Sequence, residues 1–200
     1  MRSWLLLFAV LISGAVQAAT PPQLLLDVAR FRNDDIAVKG AVVEMYATVP
    51  GQSLTYKRRA PKVYQAAASV TLEIIREDGS AAYQETITLK PPVLSDTSVS
   101  LKNPVSFQKR ILLPDGKYTL RGQVRDQYRK GQNNVVEQPL VIESGSKSLS
   151  LSDIVLLARP ASKSPEPSNF VRGGFSLNRA RADYTAAVPT GFSSMVNCIT

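Results

Sequence analysis

The chain has 200 residues, a formal net charge of +8, one cysteine and no histidine. The missing histidine excludes a Ser/His/Asp triad, and the lone cysteine, Cys198, excludes an intramolecular disulfide and the usual zinc sites. The length is enough for one domain plus a partial second piece. We expect no catalytic residues, no metal and no cofactor.

The first 18 residues have the pattern of an export signal. Met1-Arg2 is a positive start, Trp4 to Ile12 is an apolar run, and Val16-Gln17-Ala18 precedes a cleavage site after Ala18. An uncleaved amphipathic or core helix is the alternative. The apolar run is too short to cross a bilayer, and no second stretch is long enough. We expect an exported protein, periplasmic or extracellular, without a transmembrane segment.

Residues 19–158 are predicted to form one all-β domain. Apolar runs and period-two alternation between Gly, Pro and Asn/Asp turns indicate strands. The expected strands cover 24–31, 41–49, 54–57, 81–89, 105–112, 117–128 and 135–143. A further strand is expected within 63–76, where Val70, Leu72 and Ile74 alternate with Thr71, Glu73 and Ile75. Residues 144–148 read as a polar linker, and Leu149 to Ala158 is either a short helix or a final strand. This spacing predicts an immunoglobulin-like antiparallel β-sandwich.

The clearest strand follows the turn Pro114-Asp115-Gly116. One face of this strand carries Tyr118, Leu120, Gly122 and Val124, and the other carries polar residues. A tyrosine at the start of a late strand is typical of the tyrosine corner of immunoglobulin-like sandwiches. We therefore expect the Tyr118 hydroxyl to bond to backbone a few residues upstream.

Residues 159–200 have a different composition. Residues 161–168 are rich in Ser, Pro and Lys, as in an interdomain linker. From Asn169 the chain has little periodic pattern. We predict a linker and an irregular or truncated C-terminal segment, either disordered or the opening of a further domain.

Five stretches together resemble the N-terminal region of secreted bacterial proteins with a C-terminal Gly-Trp-x-Thr-Asp signature, the GWxTD-domain family. They are Asp27–Phe31, Val43–Tyr46, Ser53–Tyr56, Asp115–Tyr118 and Ser148–Ile154. The Glu44/Tyr46 pair and Ser152-Asp153-Ile154 are the more specific. The resemblance implies an envelope protein with an N-terminal immunoglobulin-like sandwich and no established reaction. The signature itself is absent, since the only tryptophan is Trp4, so a truncated or frame-shifted member is one hypothesis.

One basic run, Lys57-Arg58-Arg59, extended by Lys62, is the candidate partner-binding site. In a loop these cations can hold a partner carboxylate, an acidic glycan or a lipid phosphate. The alternative is a solvated strand end. Nucleic acid is not an expected partner of an exported protein.

Other candidates have simpler explanations. Asn33-Asp34-Asp35 offers oxygen ligands for calcium, but such clusters also form ordinary turns. Glu44 and Glu73 lie mid-strand, where we expect outward, solvated side chains. Ser152-Asp153 is expected to cap or turn the chain.

The predicted function is non-enzymatic protein–protein recognition or assembly in the bacterial cell envelope, through a sheet edge or loop. The partner is an envelope protein or glycan. One alternative is a carbohydrate-binding module that stacks sugars on Tyr46, Tyr56 or Tyr64, although tyrosines also populate ordinary sandwich cores. A further alternative is a non-catalytic fragment of a larger secreted GWxTD-type protein.

Overall fold

The structure, a computed structural model, describes most of the chain after residue 20. The described residues are 21–33, 39–144, 151–157, 160–165, 168, 170–177 and 179, with the backbone alone of 193–195. The predicted signal peptide, the pair Asp34-Asp35, most of the predicted linker 144–148 and Cys198 lie outside the described residues.

The described residues are all-β, with one short 3-10 turn at Gly51–Ser53. The strands are β1 (Leu25–Arg32), β2 (Ala41–Val49), β3 (Lys57–Ala60), β4 (Val63–Gln65), β5 (Ala68–Arg76), β6 (Ala81–Leu89), β7 (Val105–Leu113), β8 (Gly116–Asp126), β9 (Asn133–Ile142), β10 (Val155–Leu157), β11 (Ser162–Lys163), β12 (Val171–Arg172), β13 (Phe175–Ser176) and β14 (Ser193–Met195). None of the described residues belongs to a helix of the length and apolarity that crossing a membrane requires.

Two antiparallel sheets form the body of the molecule. One has the strand order β1-β2-β7 and the other β6-β5-β8-β9. Ala47 and Val49 of the first sheet share a core cluster with Val70, Leu72 and Val124 of the second. The two sheets therefore pack face to face in a β-sandwich-like, all-β fold, as the sequence predicted at this level.

Period-two alternation places the core side chains. On β5, Val70, Leu72 and Ile74 are fully buried, since every second side chain of a strand points to the same face. Gly122 of β8 lies on the inner face too. A Cβ atom there would come 2.7 Å from Leu24 Cδ2, so glycine leaves room for side chains next to and on β1.

The turn between β7 and β8 carries the chain from one sheet to the other. There the Tyr118 hydroxyl donates a hydrogen bond to the Pro114 carbonyl at 3.0 Å. This is the predicted bond from Tyr118 to upstream backbone.

One predicted strand, 54–57, differs from the observed ones. Residues 54–56 form no strand, because the Thr55 amide donates to the Asp126 carboxylate at 2.7 Å instead of joining a ladder. The strand predicted within 63–76 is β5, on which Val70, Leu72 and Ile74 are buried as the alternation predicts. Residues 63–65 form the separate strand β4, which pairs with β3. The remaining predicted strands of the sandwich agree with the observed ones to within two residues.

The residues after β9 contribute further short strands. Of the two alternatives for 149–158, the described part contains a strand, β10, which pairs with β14. Within the predicted C-terminal segment, β11, β13 and β12 form a small antiparallel sheet. We call the described residues between 151 and 179 the covering segment, because they lie on the outer face of the β1-β2-β7 sheet.

Candidate functional site

The four predicted partner-binding cations lie together on the β3–β4 hairpin, residues 57–65, which we call the basic hairpin. Lys57, Arg58 and Arg59 belong to β3, and Lys62 lies in the turn. All four are exposed. Lys62 has a φ of +53°, a left-handed conformation that few non-glycine residues adopt. The hairpin is therefore a short two-stranded ribbon with cations along β3 and at its tip.

Tyr128, just after β8, supports two of these cations. The Arg59 guanidinium carbon lies 4.8 Å from the centroid of the Tyr128 ring, and Lys57 Nζ lies 5.3 Å from it. Arg59 also donates a hydrogen bond to the Tyr128 hydroxyl. The ring face attracts cations through its quadrupole, so Tyr128 gathers Lys57 and Arg59 on one side of the hairpin.

The buried carboxylate of Asp126 connects the chain that enters the basic hairpin to the residues after β8. Asp126 is 5% exposed. One of its oxygens accepts from the Thr55 amide at 2.7 Å and the other from the Tyr128 amide at 2.8 Å. The Gln127 amide also bonds to the Ala67 carbonyl at 2.9 Å. The strand β8 therefore fixes Tyr128 relative to the chain entering the basic hairpin.

The charge of the basic hairpin is not neutralised within the described part of the chain. Lys57, Arg58, Arg59 and Lys62 form no ion pair with any described residue. Many other cations do, as in the pairs Arg30–Asp153, Lys109–Glu85 and Arg121–Glu137, at 3.0, 3.0 and 3.2 Å. The hairpin thus concentrates positive charge without a carboxylate partner, which is what an anion-binding surface requires.

Sequence reasoning missed Tyr128 and Asp126. Both residues lie at the end of β8, a strand that the sequence predicts clearly. The sequence signal that could have pointed to them was a tyrosine next to a polar turn. Nothing local in the sequence shows that residues 126–128 meet residues 55–59, because that contact depends on the fold.

A second polar site lies on the outer face of the β1-β2-β7 sheet. Glu44 was predicted to be solvated, and this prediction is wrong: Glu44 is 4% exposed. Glu44 is opposite Arg110 and Tyr46 is opposite Gln108 on alternate rungs of β2 and β7, so their side chains share one face. We call these four residues the carboxylate cluster.

The hydrogen bonds of the Glu44 carboxylate come from all three other members of the carboxylate cluster. Oε1 accepts from Arg110 Nε at 2.7 Å, and Arg110 Nη2 is 2.6 Å away. Oε2 accepts from the Tyr46 hydroxyl at 2.6 Å and from Gln108 Nε2 at 3.2 Å. A carboxylate offers about four acceptor positions, so the cluster satisfies Glu44 and permits its burial.

The covering segment is what buries Glu44. Its Val155 and Leu157 join Ala29 and Phe31 in a core cluster. Its Arg172 reaches to 3.6 Å from Glu44 Oε1. An outward strand position therefore becomes an interior one, because residues more than a hundred positions later pack over it.

A further contact ties the covering segment to the edge of β1. Asp153 accepts hydrogen bonds from the Arg30 amide at 2.9 Å and from Arg30 Nε at 3.0 Å, and its own amide donates to the Arg30 carbonyl. Ser152 Oγ accepts from the Arg32 amide at 3.0 Å. The bonds to Asp153 raise the pKa of Arg30. Ser152 and Asp153 thus satisfy backbone groups of an edge strand.

The three candidate sugar-stacking tyrosines have different surroundings. Arg179 covers Tyr46, with its guanidinium carbon 4.1 Å from the ring centroid. Burial, and then the hydrogen bond to Glu44, raise the pKa of Tyr46. Tyr56 and Tyr64 are partly exposed, and Lys102 Nζ lies 5.5 Å from the Tyr56 ring centroid. Tyr46 is therefore occupied within the chain, whereas Tyr56 and Tyr64 keep some surface.

Of the calcium candidate Asn33-Asp34-Asp35, the two aspartates lie outside the described residues, as does Cys198. Among the residues that the structure does describe, no group of three or more His, Cys, Asp or Glu side chains could hold a metal ion. Glu73 is partly exposed, as predicted, and lies 3.8 Å from Arg121.

Comparisons with known proteins add little. No protein-family model matches the chain, and no curated protein matches it. The chain is similar to the crystal structure of a Bordetella pertussis protein described as ApaA, with a TM-score of 0.32 and 12% sequence identity, over 62% of this chain and 94% of that chain. At this TM-score the likeness carries no argument about fold or function.

Proposed function

We propose that this protein is a non-enzymatic recognition module of the bacterial envelope, and that its basic hairpin binds an acidic surface of a partner protein. One observation carries the proposal: Lys57, Arg58, Arg59 and Lys62 are exposed together and form no ion pair with a described residue. The carboxylates of a partner would supply the missing counter-charges.

The contacts that Tyr128 and Asp126 make with the chain at the basic hairpin favour a binding role over a merely solvated strand end. Tyr128 and the buried Asp126 limit the freedom of the chain around Lys57 and Arg59. Side chains that are held before binding lose less conformational entropy on binding. Exposed charges are screened by salt, so we expect the interaction to weaken between about 50 and 500 mM salt.

The envelope location and the immunoglobulin-like assignment belong to the same proposal. The predicted signal peptide, cleaved after Ala18, supports export. The three-plus-four arrangement of strands and the Tyr118–Pro114 bond support an immunoglobulin-like sandwich. The stretches quoted above support kinship with the GWxTD-domain proteins, with this chain as a truncated member.

Carbohydrate binding is the second candidate. Tyr64 belongs to the basic hairpin and Tyr56 directly precedes it, and both residues are partly exposed, a combination that suits an acidic sugar. A glycan array separates the two candidates. Saturable binding to acidic glycans, lost on Tyr64→Ala, would favour carbohydrate over protein. A fragment of a larger protein remains the third candidate, and sequencing the locus downstream tests it.

Envelope crosslinking followed by mass spectrometry tests the proposal. We expect discrete crosslinked partners for the wild-type protein and their loss in the triple variant Lys57→Ala, Arg58→Ala, Arg59→Ala. A charge-matched control replaces Lys39, Lys90 and Lys163 by alanine; these are exposed and pair with no described carboxylate. Crosslinks that persist in the hairpin variant, or that disappear equally in the control, contradict the proposal.

A further inference from the structure

A small cavity lies between the carboxylate cluster and the covering segment. Its volume is about 30 Å³, which is room for about two water molecules or one carboxylate group. Glu44, Tyr46 and Gln108 form its floor, and Arg172 and Arg179 contribute cations. Its apolar wall is formed by Phe31, Val155, Leu157 and Leu177. Glu44 is paired with Arg110 and Arg179 with Asp27, so Arg172 supplies the uncompensated positive charge of a lining that is otherwise largely apolar.

Arg172 keeps unused hydrogen-bonding capacity in this cavity. Its Nη1 lies 3.6 Å from Glu44 Oε1, beyond hydrogen-bond distance, and that oxygen already has Arg110 as a close partner. The Arg172 guanidinium lies against the Phe31 ring, 4.7 Å from its centroid. It makes no hydrogen bond to any residue that the structure describes. Its side chain is 32% exposed, so Arg172 lies between the cavity and solvent.

Arg179 has a similar unused donor. One nitrogen of its guanidinium, Nη2, pairs with Asp27. The other, Nη1, is buried and has no hydrogen-bond partner among the described residues. A buried donor without a partner is costly, and a bound anion would remove that cost. Both cations thus retain donors beside the same cavity.

We propose that this cavity binds the carboxylate of a small organic acid, with Arg172 and Arg179 as its cationic ligands. Arg172 presents the planar pair of donors that a carboxylate matches. The carboxylate fills the cavity between Phe31 and Leu177, and the rest of the acid extends toward solvent beside Arg172. This site is separate from the basic hairpin and does not depend on the function proposed for it.

Ligand binding and docking of the covering segment are coupled. Both arginines belong to the covering segment, whereas Phe31 and Glu44 belong to the sandwich. The complete site therefore exists only when the segment is docked, and the acid must stabilise docking by the same free energy by which docking improves its affinity. Hydrogen exchange of the Asp153 amide, which bonds to the Arg30 carbonyl of β1 at 2.9 Å, reports on docking.

The test is a titration of the full chain with propionate, at constant ionic strength balanced with chloride and followed by NMR. We expect saturable shifts at Phe31 and Leu177 and slower exchange of the Asp153 amide. Arg172→Gln should weaken the affinity about tenfold or more, because a charged hydrogen bond contributes about 1.5–3 kcal/mol. Arg172→Lys keeps the charge without the planar pair and should be intermediate. The control Arg125→Gln, an exposed position on β8, should bind as the wild type does.

Several outcomes overturn the proposal. These are the absence of saturable shifts, equal affinity in Arg172→Gln, and equal effects of phosphate or chloride. Faster exchange at the Asp153 amide in Arg172→Gln would show that the covering segment has detached in that variant. The affinity of Arg172→Lys for propionate is then the deciding measurement. If that affinity equals the wild-type value, the proposed site is overturned. N-acetyl-Ala-Ala with a free or amidated C-terminus identifies the source of the carboxylate. Tighter binding of the free dipeptide than of propionate assigns a peptide C-terminus, and weaker binding assigns a free acid.

Discussion

The Tyr118 hydroxyl bonds to the Pro114 carbonyl at 3.0 Å across the turn that carries the chain from one sheet to the other. Tyr118 is 9% exposed and belongs to a core cluster with Leu120 and Leu140. The ring therefore packs in the core while its polar tip fixes the incoming turn. The tyrosine therefore acts as part of the scaffold.

We predict that Tyr118→Phe lowers the free energy of unfolding by about 1 kcal/mol, because the ring stays and the hydrogen bond to Pro114 is lost. Urea denaturation measures the change. The matched control is Tyr64→Phe, whose hydroxyl has no side-chain hydrogen bond to a described residue; we expect a change below about 0.5 kcal/mol. Equal stability of Tyr118→Phe and wild type would reject the role of this bond.

Glu44→Ala is predicted to cost about 2–4 kcal/mol of unfolding free energy, because it leaves Arg110, Gln108 and Tyr46 without their shared acceptor. The covering segment should also loosen, with faster hydrogen exchange at the Asp153 amide. The control Glu137→Ala removes an ion pair with Arg121 whose glutamate side chain is 54% exposed, and it should cost less than about 1 kcal/mol. Similar costs for both variants would show that the cluster does not stabilise the fold.

Because the pKa of Tyr46 is raised in the folded state, the free energy of unfolding should fall at alkaline pH. Burial and the bond to Glu44 hold the proton on folded Tyr46 above its ordinary pKa of 10.0. The contribution of Tyr46 to the free energy of unfolding is complete below about pH 10, where the tyrosine is protonated in both the folded and the unfolded state. As the pH rises further, the unfolded state loses the proton first, so the native state binds more protons and stability falls.

We therefore predict that wild-type stability declines above about pH 10, and that Tyr46→Phe declines less steeply. The pKa of Tyr83 is also raised by burial and then by its bond to Glu85. Part of the loss of stability above about pH 10 should therefore persist in Tyr46→Phe. Urea midpoints between pH 9 and 11 measure both slopes. Parallel curves for wild type and Tyr46→Phe would contradict the prediction.

The sandwich strands could be read from the sequence because their side chains alternate and their ends carry turn residues. β2 and β6 were predicted with their observed bounds, 41–49 and 81–89. On β5 and β8, the predicted inner residues are the buried ones. Local pattern is sufficient here, since burial of one face follows from strand geometry alone.

The burial of Glu44 could not be predicted in this way. Its position on β2 faces outward, and only the later residues Val155, Leu157 and Arg172 make that face interior. For the same reason the contact of Arg59 with Tyr128 could not be seen. Both depend on long-range packing, whereas the basic run itself was visible because its residues are adjacent in the sequence.

Site-specific photo-crosslinking from the basic hairpin tests the central claim most directly. A photoreactive residue replaces Ala60, which is exposed at the end of β3, and in a control it replaces Ala81, which is exposed at the start of β6. We predict a discrete protein adduct from position 60 in the native envelope, absent from position 81 and reduced by high salt. An absent adduct at position 60, or the same adducts from both positions, would contradict recognition through the basic hairpin.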